Sequence, residues 1–248
     1  MAKSTAKTPR KRKAPARPGL RARVTAAIRR LVGWIWRAVF VVVAALVLWV
    51  LAYRWIDPPT TPYMRAEAAR LGGVAQTWAD LEDIAPVMAR AAVAGEDANF
   101  CLHWGFDVEA IRDAIEDGAT RGASTISQQV VKNAFLWQGR SWFRKAMEAA
   151  LTPLMETLWP KRRVIEVYLN IAEFDEGVFG VEAAARHYFG RSAAELTDRQ
   201  AGLLVAVLPN PKERNAARPT DFLSRRANSV VDGAATIRAD GRSACFED

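Results

Sequence analysis

The sequence predicts a mostly α-helical domain behind a single membrane-spanning helix, and three observations carry that expectation. The run Leu31–Tyr53 is apolar for 23 residues apart from Arg37, and at ~1.5 Å per residue it covers the ~30 Å hydrocarbon core of a bilayer. Beyond Asp80, apolar residues recur at helical spacing with little period-2 alternation. Helix-start signals, above all the Thr125/Gln128 and Thr197/Gln200 pairs, punctuate that stretch, and Gly or Pro closes most of its segments.

Taken in order, residues 1–30 are rich in Lys, Arg, Ala and Pro and read as a disordered basic tail attracted to anionic lipid. Residues 31–53 form the anchor. Arg37 can snorkel to the headgroups, and Trp34, Trp36, Trp49 and Tyr53 suit the two interfaces. The basic flank orients the tail to the cytoplasm and the body outside. A cleaved leader would share the basic flank and apolar run, but the run is long and no A-x-A site follows it before Asp57, which favours an uncleaved anchor. Residues 54–79, with Asp57-Pro58-Pro59, are a connector, and 80–248 form one domain.

Within that domain Ile84, Val87, Met88, Ala91 and Ala92 mark a helix that Gly95 stops or frays. Asp107 caps the next helix, which ends near Gly118. Thr125 opens the helix carrying Gln129 and Lys132. Ser141 caps another, which Pro153 should kink or split. Pro160 suits a helix first turn, Gly180 and Gly190 bracket VEAAARHYF, and Thr197 precedes the apolar AGLLVAVL. A last helix follows Pro219.

Composition excludes several function classes. The formal net charge is +8, yet residues 1–37 hold twelve of the 35 Lys and Arg and no acid. From residue 38 onward the remaining 23 bases face 27 acids, so the body is mildly acidic and no nucleic-acid partner is expected. Cys101 and Cys245 are too far apart for a zinc pair and too few for a disulfide framework, and Cys101 reads as packing. With two histidines in the chain, His103 and His187, a His-rich metal site is excluded.

The polar blocks EDANFCLHWGFD, from Glu96, and GASTISQQVVKN, from Gly122, hold the candidate chemistry. Glu96 and Asp97 follow an apolar helix whose C-terminal dipole, with Phe100 and Trp104 nearby, disfavours ionisation and raises Glu96 toward the range of a general base. Gly122, Ser124 and Thr125 offer amides and hydroxyls to an anion at a helix start, with Gln128, Gln129 and Lys132 along the same helix. Arg144, Lys145 and Glu148 share adjacent turns. Each block alone suits a plainer role: a solvated acidic pair, a capped helix with an exposed lysine, a surface ion pair. His103 alone reads as a hydrogen-bonded structural residue.

Together, EDANFCLHWGFD, GASTISQQVVKN, RKAME, KRRVIEVYLN and GVFGVEAAARHYFG resemble, in order and spacing, the five motifs of the family 51 peptidoglycan glycosyltransferases. The resemblance runs from about Asp80 to Pro211. It implies an all-α, lysozyme-like glycosyltransferase domain with a membrane-facing jaw, on the outer side of a bacterial inner membrane, polymerising lipid II into glycan strands. The short chain looks like the monofunctional branch, because it has no room for a transpeptidase domain and no K-T-G, and its one S-x-x-K match is Ser4–Lys7 in the tail. Carried over, Glu96 matches the base that deprotonates the acceptor GlcNAc 4-hydroxyl. Glu148 matches the second essential glutamate, a candidate ligand for Mg²⁺ or Mn²⁺; no covalent cofactor is implied. Ser124, Thr125, Gln129, Lys132, Arg144 and Lys145 match residues around the donor's sugar and diphosphate, and Asp97, Phe100, His103 and Asn133 match positions that shape the site. Other cell-wall synthases or division proteins are the implied protein partners.

A hydrolase of related fold must protonate a sugar alkoxide as it leaves, whereas pyrophosphate leaves readily and needs positive charge. Lys132, Arg144 and Lys145 beside one candidate base fit the second case, with undecaprenyl pyrophosphate as leaving group. A lytic muramidase and an inactive glycan-binding scaffold are the competing readings. The chain departs from the family pattern at Pro153, five residues after Glu148, and at Gln200, where many bifunctional members carry Glu.

Overall fold

The computed structural model describes residues 19–116, 124–139 and 141–247. Two units, Met1–Val47 and Leu48–Asp248, separate by their internal contacts. In the first, the helix α1 (Leu20–Ala52) begins eleven residues before the expected anchor. Its early residues LRARVTAAIRR are rich in Ala, Arg and Leu, strong helix formers, so the part of the tail from Leu20 to Arg30 is helical, not disordered. Residues 1–18 lie outside the described residues. The stretch Ala27–Ala52 is long and apolar enough to cross a membrane, and the Arg37 guanidinium lies 5.4 Å from the centre of the Trp34 ring.

The second unit begins inside the last turns of α1. There Trp49 and Tyr53 pack on Phe135 at ring-centre distances of 5.3 and 5.6 Å, and Trp159 Nε1 donates to the Val50 carbonyl at 2.8 Å. These two aromatics, expected at a lipid interface, therefore serve protein packing.

The segment 54–79, read as a connector, is built into the unit. Thr61 caps α2 (Pro62–Leu71), and left-handed Gly72 ends it. The strand β1 (Ala75–Gln76) pairs in parallel with β3 (Val178–Phe179), and β3 pairs antiparallel with β2 (Glu173–Asp175). Asn170 ties the end of this segment down, accepting from Ala79 N at 2.9 Å and donating to Ala79 O at 2.8 Å. Strands of two or three residues are too short to leave a periodic signature.

The helices that position the site are α3 (Pro86–Glu96), α4 (Val108–Glu116), α5 (Ile126–Phe135), α6 (Trp142–Leu158) and α7 (Lys161–Ile171). They are followed by α8 (Val181–Phe189), α9 (Asp198–Val207) and α10 (Asp221–Asp240). Local cap chemistry sets most starts as expected. Thr125 and Thr197 form capping boxes with Gln128 and Gln200, Ser141 accepts from Arg144 N, and Asp107 Oδ1 accepts from Ala110 N. Pro160 is the N-cap of α7, not its first helical residue. Pro153 sits inside α6 without splitting it. Gly118 and Gly122 lie outside the described residues.

Two groups of helices make the core, α3 with α9 and α10, and α5 with α6 and α7. Gly95 does not stop α3, which runs on to Glu96. Its role is close packing, since a Cβ there would stand 2.3 Å from Val205 Cγ1. Gly202 plays the same part between α9 and α10, where a Cβ would meet the Ala227 carbonyl oxygen at 2.7 Å and Val231 Cγ2 at 2.8 Å. A backbone carbonyl cannot step aside, so Gly202→Ala is expected to cost roughly 1–3 kcal/mol. A thermal melt should show a drop of about 2–4 °C per kcal/mol for a unit of this size; an unchanged melt would contradict the packing.

On the surface of this unit Trp142, Phe143 and Trp104 are 92%, 67% and 71% exposed, and α4 has no buried residue.

Candidate active site

Glu96 is the last residue of α3, and the small residues Ala91, Ala92 and Gly95 let that helix sit tight against its neighbours. The chain then leaves the helix at Asp97, and the two adjacent acids part company. Asp97 turns inward and accepts from Ile126 N at 2.9 Å at the start of α5, while its other oxygen lies 2.8 Å from His103 Nε2. His103 Nδ1 accepts from Gly105 N at 3.1 Å. Nδ1 is therefore the bare nitrogen, and Nε2 carries the hydrogen that reaches Asp97.

Thr125 Oγ1 accepts from Gln128 N within the capping box and donates to the Gly105 carbonyl at 2.6 Å. The hydroxyl is thus engaged by the protein, and Thr125 ties the loop 97–107 to α5. Exposed Ser124 stays on the cleft rim.

Glu96 is directed outward from this knot. It lines a cleft of about 250 Å³ with Asp97, Asn99, Ser124 and Thr125. Gln129 Nε2 donates to Glu96 Oε2 at 3.0 Å, and the buried Tyr168 hydroxyl donates to Gln129 Oε1 at 3.4 Å, which fixes the amide with its NH₂ toward the carboxylate. Burial pushes the Glu96 carboxyl above its ordinary range; Gln129, Arg226 and Lys132 oppose that rise, and Asp97 adds to it. Arg226 Nη2 from α10 stands 3.9 Å from Glu96 Oε1. Sequence reasoning missed this arginine, whose only signal was an Arg225-Arg226 pair on the last helix.

One turn beyond Gln129 on the same face of α5 comes Lys132. Among the described residues it makes no hydrogen bond or ion pair. Burial lowers its pKa, Glu148 and Glu96 counteract that, and Arg144 and Lys145 reinforce it. Lys132 lines a second cleft of about 220 Å³ with Gln129, Asn133, Tyr168 and Glu173. Asn133 Oδ1 accepts from Gln138 Nε2 at 3.1 Å. The Glu96–Gln129 bond therefore joins a residue of the first cleft to one of the second.

On α6 Glu148 is buried, and both its oxygens are taken: Arg144 Nη1 donates to one at 2.8 Å, and Lys145 Nζ to the other. Arg144 is braced by the Gly139 carbonyl at 2.7 Å. Glu148 thus orders two cations, and the oxygens a divalent ion would need are already in charge-assisted bonds. Asp97, His103 and Asp107 bring ligand-type atoms within 4.8 Å of one another. They too are spent internally, because Asp107 binds Ala110 N and Asn99 Nδ2. In both sets the carboxylate oxygens already carry hydrogen bonds or ion pairs within the protein.

Phe100 is fully buried, with Lys161 Nζ 4.4 Å from its ring centre. The last two sequence blocks build scaffold. Gly180, before α8, is at φ 83°, and a Cβ there would stand 2.8 Å from the Asn170 carbonyl oxygen. Cys101, read from the sequence as packing, forms a disulfide with Cys245 across a sequence separation of 144. Sequence distance hid this contact, which α10 creates by returning the chain to the loop after α3.

A buried carboxylate at the end of α3, a lysine on α5 with no ion pair among the described residues and an ordered pair of bases on α6 form an arrangement suited to general-base chemistry beside an anion. Residues 65–235 match the family model described as Transglycosylase. The chain belongs to the transglycosylase family. A protein of Jannaschia sp. (strain CCS1) named biosynthetic peptidoglycan transglycosylase is 63% identical, over 91% of this chain and 94% of its own length. Proteins of the same name from Rhodospirillum centenum and Pseudomonas fluorescens are 48% and 50% identical, over 82% and 74% of this chain and 90% and 81% of theirs. The family match begins at residue 65, inside α2 of this transglycosylase, in keeping with the integration of that segment.

Proposed function

We propose that this transglycosylase polymerises lipid II by direct displacement, with Glu96 as the base and undecaprenyl pyrophosphate as the leaving group. The observation that carries the reading is the single face of α5 that holds Gln129 on Glu96 and, one turn on, presents Lys132, which has no ion pair among the described residues. Glu96 takes the proton of the acceptor GlcNAc 4-hydroxyl as that oxygen attacks C1 of the donor MurNAc. The C1–O bond to pyrophosphate breaks, and the α-linkage inverts to β. Lys132, Arg144 and Lys145 stabilise the charge that gathers on the departing diphosphate, so no acid needs to protonate it. Glu148 holds Arg144 and Lys145 in place, and no step is assigned to a metal ion.

The apolar helix Ala27–Ala52 and its basic flank support an inner-membrane anchor with the catalytic unit outside. The disulfide suits the oxidising side of that membrane. Exposed Trp142 and Phe143 suit contact with the lipid in which the substrate's carrier sits. Other cell-wall synthases and division proteins remain candidate partners on the family resemblance alone.

The reading is tested by offering the protein lipid II and, separately, purified peptidoglycan. Glycan polymer from the first and no fragments from the second is the expected result; fragments from the second without polymer would make it a muramidase.

The reaction should also show a bell-shaped pH dependence. Glu96 acts ionised, and burial raises its pKa, so kcat should fall on acidification at a pH above the ordinary glutamate value of about 4.3. Lys132 acts charged, and burial lowers its pKa, so the alkaline limb should begin below the ordinary lysine value of about 10.4. Polymerisation rates at saturating lipid II across this range check both limbs.

A further inference from the structure

We propose that the segment 241–247, fastened by the Cys101–Cys245 disulfide, is a positioning clamp for the loop 97–107 and thereby sets how fast the enzyme turns over. The segment starts where left-handed Gly241 ends α10, and the Ser243 carbonyl accepts from Phe246 N and Glu247 N to close a tight turn. Three contacts run from that turn to the loop. Cys245 is bonded to Cys101, Arg242 Nη1 donates to the Ala98 carbonyl at 3.1 Å, and the Phe246 ring lies 6.2 Å from that of Phe100. Two others pin the turn to the helical scaffold. Arg90 Nη1 of α3 meets Glu247 Oε1 at 2.6 Å, and Arg162 Nη1 of α7 donates to the Phe246 carbonyl at 3.0 Å.

The loop has no regular secondary structure, so side-chain tethers fix its place. It begins directly after Glu96, and Asp97, Ala98 and Asn99 line the same cleft as Glu96. The internal knot of Asp97, His103 and Gly105 binds the loop to itself and to α5; the clamp supplies the covalent tether from the opposite end of the chain. It lies beyond residue 235, where the family match ends. The inference rests on Glu96 being the base.

The test uses the full-length protein in three states: oxidised, reduced with dithiothreitol, and reoxidised with oxidised glutathione. Reduction delivers two electrons and two protons to the two sulfurs and leaves dithiothreitol as its cyclic disulfide. The disulfide is half-buried, within reach of a small dithiol. With far-UV circular dichroism unchanged at the assay temperature, kcat on lipid II should fall about tenfold, in line with the sensitivity of catalysis to ångström displacements. KM should stay within about twofold, and reoxidation should restore the rate. The double variant Cys101→Ser/Cys245→Ser should be as slow as the reduced enzyme and indifferent to reductant.

A folded reduced enzyme that keeps its kcat overturns the clamp, even if its melting temperature drops. If reduction or the double substitution unfolds the protein, Arg242→Gln decides, because it keeps the disulfide and removes the bond to Ala98, losing besides it only the local ion pair with Asp240 inside the C-terminal segment: a lowered kcat supports the clamp and an unchanged one overturns it. Glu96→Gln assayed alongside separates the two claims. Retained activity there refutes the base, whereas an inactive Glu96→Gln with a redox-indifferent wild type refutes the clamp alone.

Discussion

Glu96→Gln is expected to lower lipid II polymerisation by a factor on the order of 10²–10⁴, the usual share of a general base, without loss of stability. Gln keeps the shape of the side chain and an oxygen that can accept from Gln129 Nε2, as Glu96 does at 3.0 Å. What it lacks is the ability to take a proton. Stability should be equal or slightly higher at neutral pH. The folded-state pKa of Glu96 is raised by burial, so any stability it contributes is present below the unfolded value and is lost as pH rises through the folded one. At neutral pH the ionised group is therefore a burden on the fold, and Gln removes it. Single-turnover assays with a parallel thermal melt check both halves. Asp97 offers the contrast: Asp97→Asn should disturb the fold first, because its two oxygens hold Ile126 N and His103.

The second large effect is expected at Lys132. Among the described residues, Lys132→Ala removes the cation of the site that is not committed to a carboxylate, since Arg144 and Lys145 bind Glu148 and Arg226 stands by Glu96. If Lys132 stabilises charge on the departing diphosphate, its loss resembles the removal of an oxyanion donor and should cost about 10²–10³ in kcat. The alkaline limb of the pH profile should shift or vanish with it. The fold should tolerate the change, because Lys132 makes no hydrogen bond or ion pair among the described residues and its partial burial lowers its pKa. A change confined to KM, with kcat intact, would mean that Lys132 binds substrate equally in ground and transition states. Chemical quench at saturating lipid II distinguishes these outcomes.

What could be read from the sequence was what the chain decides locally. Thr125 with Gln128, Thr197 with Gln200, Ser141 and Asp107 satisfy helix ends within three residues, and the structure has all four caps. The candidate base and the cations around the anion site likewise lay in compact blocks on α3, α5 and α6. Contacts made at long sequence distance could not be read. Gly95 resembled a helix stop because its packing partner, Val205, comes from α9. Arg226 reaches Glu96 from α10, and Cys101 finds Cys245 only after α10 has returned the chain. The Gly105 carbonyl that accepts from the Thr125 hydroxyl lies twenty residues earlier in the chain. The segment 54–79 was legible in part, for Thr61-Pro62 and Gly72-Gly73 are start and stop signals for α2. Its strand is visible only in its pairing with β3.

The small residues along α3, α9 and α10 and the polar ties along α5 answer to one requirement. A carboxylate that must ionise while buried needs neighbours that cannot drift, because each ångström of slack admits water and returns its pKa to the ordinary range. Gln129 and Tyr168 hold Glu96 from one side, and the loop 97–107 with its C-terminal tether holds it from the other.

The most direct test of the displacement mechanism is a limited turnover of lipid II in which both products are counted. One undecaprenyl pyrophosphate released for each new glycosidic bond, with every new bond β-linked, is the predicted result. Release of undecaprenyl pyrophosphate with free reducing disaccharide, or new bonds that keep the α configuration, would contradict it.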